Sequence, residues 1–331
     1  MTQRLNRAAR SALALALALA AAAALLASCS STTTSTNSST TNSNSTTSTA
    51  PATPSTTSTA TIGLGAVLPR DVVSAPVRIA HTSAGRVGYR EVGAGSPLLL
   101  VMGLGGSMDD WQPYFVATLA AHHTVVVFDN AGVGQTAALA SPLTITAMAN
   151  QASALISALR LDRPAVLGWS MGGMVAQALA VLHPAQVSRL VLAATQAGTG
   201  TARPVPAAAA AAVVSSNPGT VLSVLFPPSA AAAAHTYVVG ILRYPDFYQA
   251  PSAVVAEQAV AVGQWIAGDD PAGRELGQVR TPTLVADGTM DALDPVANAR
   301  QLASLVPGAR LLLYPGAGHA FLFQDLTSFL P

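Results

Sequence analysis

The chain reads as an α/β protein, a doubly wound and mostly parallel sheet with helices on both faces and a helical cap inserted late. Three observations predict this class. From residue 77 onward, short Val- and Leu-rich runs alternate with helical stretches, the pattern of a parallel sheet built from crossover units. Runs such as "PLLLVMG" (97–103) and "TVVVFDN" (124–130) are continuously apolar, which suits strands covered on both faces. The rhythm breaks once, over residues 198–280. That is too long for a simple loop, and the alanine-rich tracts 207–214, 230–235 and 254–266 read as cap helices.

The remaining elements follow in order. "VRIAH" (77–81) and "RVGYREV" (86–92) predict two strands around a turn at Ser83–Gly85. Residues 144–160 place Ile145, Met148, Ala152, Leu155, Ile156 and Leu159 on one helical face. "PAVLGWS" (164–170) predicts a strand, and "MGGMVAQALAVLHP" (171–184) a helix that stops before Pro184. "SRLVLAAT" (188–195) and "TPTLVADG" (281–288) predict further strands. A helix is expected over 294–308, with Asp294 as N-cap and Pro295 in the first turn. "ARLLLYPG" (309–316) predicts the last strand.

Composition narrows the partners. Of 331 residues only 9% are charged and the formal net charge is +1. Every basic side chain is an arginine, and no basic patch is present, so nucleic acid is not an expected partner. Cys29 is the single cysteine, so no intramolecular disulfide can form and the core must hold the domain.

The N-terminus reads as an address. Arg4, Arg7 and Arg10 precede the apolar run 12–27, and "LASC" closes it. The length alone would suit a membrane anchor, but the basic start and small-residue end suit a secretory signal. The "LASC" ending resembles a bacterial lipobox, which implies cleavage of residues 1–28 and lipidation of Cys29. Residues 29–62 are nearly all Ser, Thr, Asn, Ala and Pro, a composition with no apolar surface to offset ordering, so a disordered tether is expected. The folded domain is then expected over 63–331, as an exported lipoprotein held at the bacterial cell envelope.

The chemistry centres on "GWSMGG" (168–173). A strand before Ser170 and a helix after it make this G-x-S-x-G a candidate nucleophile elbow. Close strand–helix approach would leave no room for side chains at Gly168 and Gly172. A nucleophilic serine needs a base, and the base an orienting acid. His319, in "GAGHAF" just past the last strand, is the only histidine after the cap and the candidate base. Asp287 lies at the end of the preceding strand, and Asp291 and Asp294 follow it. Asp294 is expected to cap a helix and Asp287 to be structural, which leaves Asp291 as the acid. The oxyanion needs two N–H donors. Met171 follows the nucleophile, and Leu104 lies in the flexible "GLGG" turn at 103–106.

Together "VMGLGG", "FDNAGVGQT", "GWSMGG", "GTMDALDP" and "GAGHAF" make residues 77–331 resemble the α/β-hydrolase fold superfamily. The resemblance is to its lid-bearing branch of esterases, C–C hydrolases and haloperoxidase-like enzymes. It implies a Ser170–His319–Asp291 triad and acyl transfer with no metal or organic cofactor. A small-molecule carboxylic ester is the expected substrate, with C–C hydrolysis, perhydrolysis, or a non-catalytic binding role as alternatives. Met102 stands where that family usually has histidine, Ala131 where arginine is common, and Thr136 where serine is common. Phe226, Tyr237, Tyr244, Phe247, Tyr248 and Trp265 in the cap point to an apolar substrate group, or else simply pack the cap on the core.

Overall fold

The computed structural model describes residues 67–324. The apolar run 12–27, Cys29 and the tether lie outside the described residues. After a short helix α1 (Pro69–Ser74), the strands are β1 (Arg78–Thr82), β2 (Gly85–Val92), β3 (Ser96–Val101), β4 (His123–Phe128), β5 (Ala165–Trp169), β6 (Arg189–Ala193), β7 (Thr283–Gly288) and β8 (Arg310–Tyr314). They form one eight-stranded sheet in the order β1-β2-β4-β3-β5-β6-β7-β8. The β1/β2 and β2/β4 pairs are antiparallel, and all the others are parallel.

The apolar runs divide between two faces, as side-chain alternation requires. Leu99, Val101, Val126, Phe128 and Val166 pack in one core. Leu98, Leu100, Val125, Val127 and Leu167 pack in the other. Helices α3 (Ile145–Ala158), α4 (Met171–Leu182) and α10 (Val296–Leu305) cover the first face through Met148, Val175 and Leu302. Helices α2 (Pro113–Ala120) and α11 (Phe321–Gln324) cover the second through Phe115 and Phe323.

Between β6 and β7 lie α5 (Ala207–Val213), α6 (Pro218–Leu225), α7 (Ala231–Ile241), α8 (Ser252–Ala267) and α9 (Pro271–Arg274). This segment is tied to the body by its aromatic side chains. Tyr237 Oη donates to the Asp110 carbonyl at 3.1 Å and Tyr244 Oη to that of Trp111 at 3.0 Å. Trp265 is fully buried and donates from Nε1 to the Gln196 carbonyl at 3.2 Å. These three rings act as packing elements.

One helix lies where none is expected, and another differs from expectation. Helix α2 was not signalled by its cap, because Gln112 fills that role, its Oε1 accepting from Tyr114 N at 2.6 Å and Phe115 N at 3.0 Å. Helix α10 begins at Val296 with Pro295 at the cap position and no side-chain cap bond. Asp294 is therefore not the cap expected of it. Its backbone N–H is already held by Asp291 Oδ1 at 2.8 Å, and its own Oδ1 turns inward to accept from Asn298 Nδ2 at 2.9 Å.

A buried ion pair joins β2 to the segment that follows β3. Arg90 on β2 donates from Nη2 to Asp109 Oδ1 at 2.9 Å, the two side chains being 6% and 5% exposed. Arg90 also donates to the Ala75 carbonyl and lies 5.3 Å from the Tyr244 ring centroid. Burial still pushes Asp109 above the ordinary carboxylate range, against the pull of Arg90. Arg90→Ala would strand that carboxylate, and a loss of about 3–5 kcal/mol is expected. Denaturant unfolding would measure it. The loss should shrink toward acid pH, where Asp109 takes up a proton. A loss that is small at every pH would show that the pair does not brace the fold.

Candidate active site

The residues singled out in the sequence follow the C-terminal ends of parallel strands, where open α/β sheets place their ligands. Gly103 and Leu104 follow β3, Ser170 follows β5, Asp291 follows β7 and His319 follows β8. One edge of the sheet therefore gathers groups scattered over more than two hundred residues of chain.

Ser170 sits between strand and helix with φ 57° and ψ −124°. A non-glycine residue there is strained by roughly 1–3 kcal/mol. The neighbours hold it in place: Ser170 N donates to the Ala193 carbonyl at 2.9 Å, and the Ser170 carbonyl accepts from Gly173 N at 2.8 Å. The flanking glycines are sterically required. A Cβ on Gly168 would lie 2.2 Å from the Gly172 carbonyl oxygen, and one on Gly172 would lie 2.0 Å from that of Val101. The β3 loop reaches the serine, since a Cβ on Gly103 would stand 3.2 Å from Ser170 Cβ. Among the described residues, neither the Leu104 nor the Met171 N–H donates to a protein acceptor. The Met171 N–H also opens a twelve-residue helix, where the dipole favours negative charge.

Asp291 and His319 meet. His319 Nδ1 stands 2.7 Å from Asp291 Oδ2, with both side chains buried. The other Asp291 oxygen, Oδ1, accepts from Leu293 N at 2.7 Å and Asp294 N at 2.8 Å. The carboxylate is thus fixed by two backbone donors before it touches the imidazole. Burial opposes protonation of His319, but the Asp291 carboxylate beside it, with Asp294 adding, raises its pKa above the ordinary 6.5. Asp287 differs. It is fully buried, and burial together with the Asp291 and Asp294 carboxylates holds it far above the usual carboxylate range.

Several supporting residues were not visible in the sequence. Trp169 Nε1 donates to the His319 carbonyl at 3.0 Å, and the two rings lie 5.8 Å apart. Gln324 Oε1 accepts from Gly318 N at 2.6 Å and so holds the same turn. Asn130 Nδ2 donates to the Met102 carbonyl at 2.9 Å, joining the loops after β4 and β3. Its place in "FDNAGVGQT" was a signal for this loop, though not for that bond. Among the described residues, no group of three or more His, Cys, Asp and Glu side chains is placed to hold a metal ion.

Comparison with known proteins identifies the family. The model of the alpha/beta hydrolase fold family matches residues 96–326. The chain is 29% identical over 259 residues to a protein named carbamate hydrolase RutD from Azorhizobium caulinodans, a match covering 73% of this chain and 91% of that protein. It is 31% identical over 257 residues to one named non-heme bromoperoxidase BpoC from Mycobacterium tuberculosis, covering 71% and 91%. A thermophilic esterase from Thermogutta terrifontis superposes with a TM-score of 0.59 at 25% identity, covering 77% and 96%. The chain belongs to the alpha/beta hydrolase fold family and is a hydrolase enzyme.

Proposed function

We propose that the protein cleaves a small carboxylic ester with an apolar acyl or alcohol group, through a Ser170–His319–Asp291 triad and an acyl-enzyme. The observation that carries this reading is the 2.7 Å contact between His319 Nδ1 and Asp291 Oδ2, on a carboxylate already fixed by two backbone N–H groups. With Nδ1–H directed at Asp291, the imidazole keeps Nε2 free to accept a proton. Ser170 Oγ attacks the acyl carbonyl carbon as its proton passes to His319 Nε2. The Leu104 and Met171 N–H groups hold the developing oxyanion. His319 then returns the proton to the departing alkoxide. Water repeats the sequence on the acyl-enzyme and releases the acid.

The apolar preference rests on aliphatic side chains near the β3 loop. Leu104 is half-buried, and Val255 of α8 lies against Gly105. Turnover of 4-nitrophenyl acetate and butyrate by the full-length chain, beside Ser170→Ala, tests the reading. A folded wild type with no turnover and no labelling by a fluorophosphonate would refute it and favour a binding role.

Perhydrolysis by the same triad is the second reading, favoured by the relative named as a bromoperoxidase. Bromination of a dye in the presence of acetate, peroxide and bromide would reveal it. C–C bond hydrolysis by these residues would appear as cleavage of a ring-fission product in preference to an aryl ester.

We infer further that the enzyme is exported and anchored through a lipid on Cys29. The basic start, apolar run and "LASC" ending support this. Cys29→Ala is expected to abolish metabolic palmitate labelling and to shift the protein from the membrane to the soluble fraction. Unchanged fractionation of the variant would refute it.

A further inference from the structure

Helix α8 touches both loops that flank the nucleophile. Val255 lies against Gly105 of the β3 loop, and Val254 lies against Gly132 of the β4 loop. One turn on, at the helical spacing that keeps side chains on one face, comes Gln258. It is fully buried. Its Oε1 accepts from Gly105 N at 2.8 Å, across 153 residues of chain. Its Nε2 is buried with no hydrogen-bond partner among the described residues. The rest of the stripe is apolar: Ala261 and Trp265 enter the core.

A glutamine in this position is poor for stability. An orphaned buried amide donor is unfavourable, and Gln258 Nε2 is one. Such a local violation points to a functional demand. The demand is visible at Gly105. Its φ is +75°, so the turn is held in the left-handed region, and its N–H is the group that Gln258 captures. The preceding residue is Leu104. A backbone turn gripped at Gly105 and adjoining Ser170 at Gly103 has little freedom left at Leu104.

We propose that Gln258 is a positioning residue that sets the Leu104 N–H for the oxyanion, so that helix α8 and the oxyanion loop act as one unit. This rests on the ester-hydrolase reading above. Gln258 itself acts through Gly105.

The test uses the full-length chain with Gln258→Leu and Gln258→Glu, and 4-nitrophenyl butyrate as substrate. Gln258→Leu removes both the acceptor and the orphaned donor. Its kcat is expected to fall about 10–100-fold with KM within threefold, because an oxyanion contact is made mainly in the transition state. Affinity for an alkyl boronic acid, which forms a tetrahedral adduct on serine, should fall by a similar factor. Thermal stability should change little, because the variant removes one orphaned donor, Gln258 Nε2, and leaves another at Gly105 N–H. Gln258→Glu keeps an oxygen facing Gly105 N–H and should recover most of the lost kcat. Wild-type kcat in Gln258→Leu would overturn the proposal, as would a loss expressed in KM alone or one that tracks a lowered melting temperature. Failure of the underlying reading is separate: it would appear as activity retained in Ser170→Ala, whatever Gln258→Leu does.

Discussion

Ser170→Ala is expected to lower kcat on an aryl ester by about 10⁶-fold, the scale found when a serine hydrolase loses its nucleophile. The residual rate should exceed that in water, because the Leu104 and Met171 N–H groups and the binding surface remain. The fold should persist. Ser170 is anchored through its backbone, to Ala193 and from Gly173 and Met174, and alanine keeps these bonds. Ser170→Gly is the informative companion. It would lose activity equally, yet glycine occupies a φ of 57° without the strain a Cβ imposes. A gain of roughly 1 kcal/mol in unfolding free energy is expected relative to Ser170→Ala. A dead but stabilised glycine variant would show that the elbow holds strain to aim a nucleophile. An active alanine variant would remove Ser170 from the chemistry altogether.

The candidate triad could be read from the sequence because each member lies in its own short strand–turn pattern. "GWSMGG" places a serine between a strand and a helix, and "GAGHAF" places a histidine past a strand. The stretch 287–294 offered three acids, and elimination among them rested partly on a helix N-cap that does not form. Asp294 was set aside as an N-cap, whereas α10 starts at Val296 without one. Asp291 still meets His319, because its other oxygen is taken up by the N–H groups of Leu293 and Asp294. The turn, and not the helix, positions Asp291.

The contacts that sequence could not show are tertiary. Trp169 reaches a carbonyl 150 residues away, and Gln258 an amide 153 residues away. No local pattern marks either pair. The Arg90–Asp109 pair is hidden for a related reason: charge on a strand and charge in a loop reveal burial only once the sheet order is known. The alternation of helices and strands predicted the layers and the sheet, because continuous Val/Leu runs have few other places to go. The cap aromatics illustrate the limit of composition. Tyr237, Tyr244 and Trp265 read as substrate contacts or as packing, and their buried hydrogen bonds assign them to packing.

Asp291→Asn is expected to lower kcat/KM by about 10⁴-fold, or roughly 5.5 kcal/mol of transition-state stabilisation. The side-chain shape survives, so the loss would be electronic. An amide nitrogen turned toward His319 would donate to Nδ1 and put the ring proton on Nε2, the atom that must accept from serine. The pH profile separates this from a packing defect. Burial pulls the His319 pKa down, while Asp291 and Asp294 pull it up and prevail, placing it above 6.5. Because the base must be neutral to work, wild-type kcat/KM should rise with pH through a midpoint above 6.5. Stability runs the other way. A histidine pKa raised on folding stabilises the protein fully below the unfolded value, and that contribution fades as pH climbs through the folded value. Activity and histidine-linked stability should therefore trade against each other across the same window. In Asp291→Asn burial is left opposed mainly by Asp294, so the acid limb should move to lower pH and the stability trade should flatten. A variant that keeps the wild-type midpoint while losing activity would mean that another group sets the His319 charge, and Asp294 would be the carboxylate to replace next.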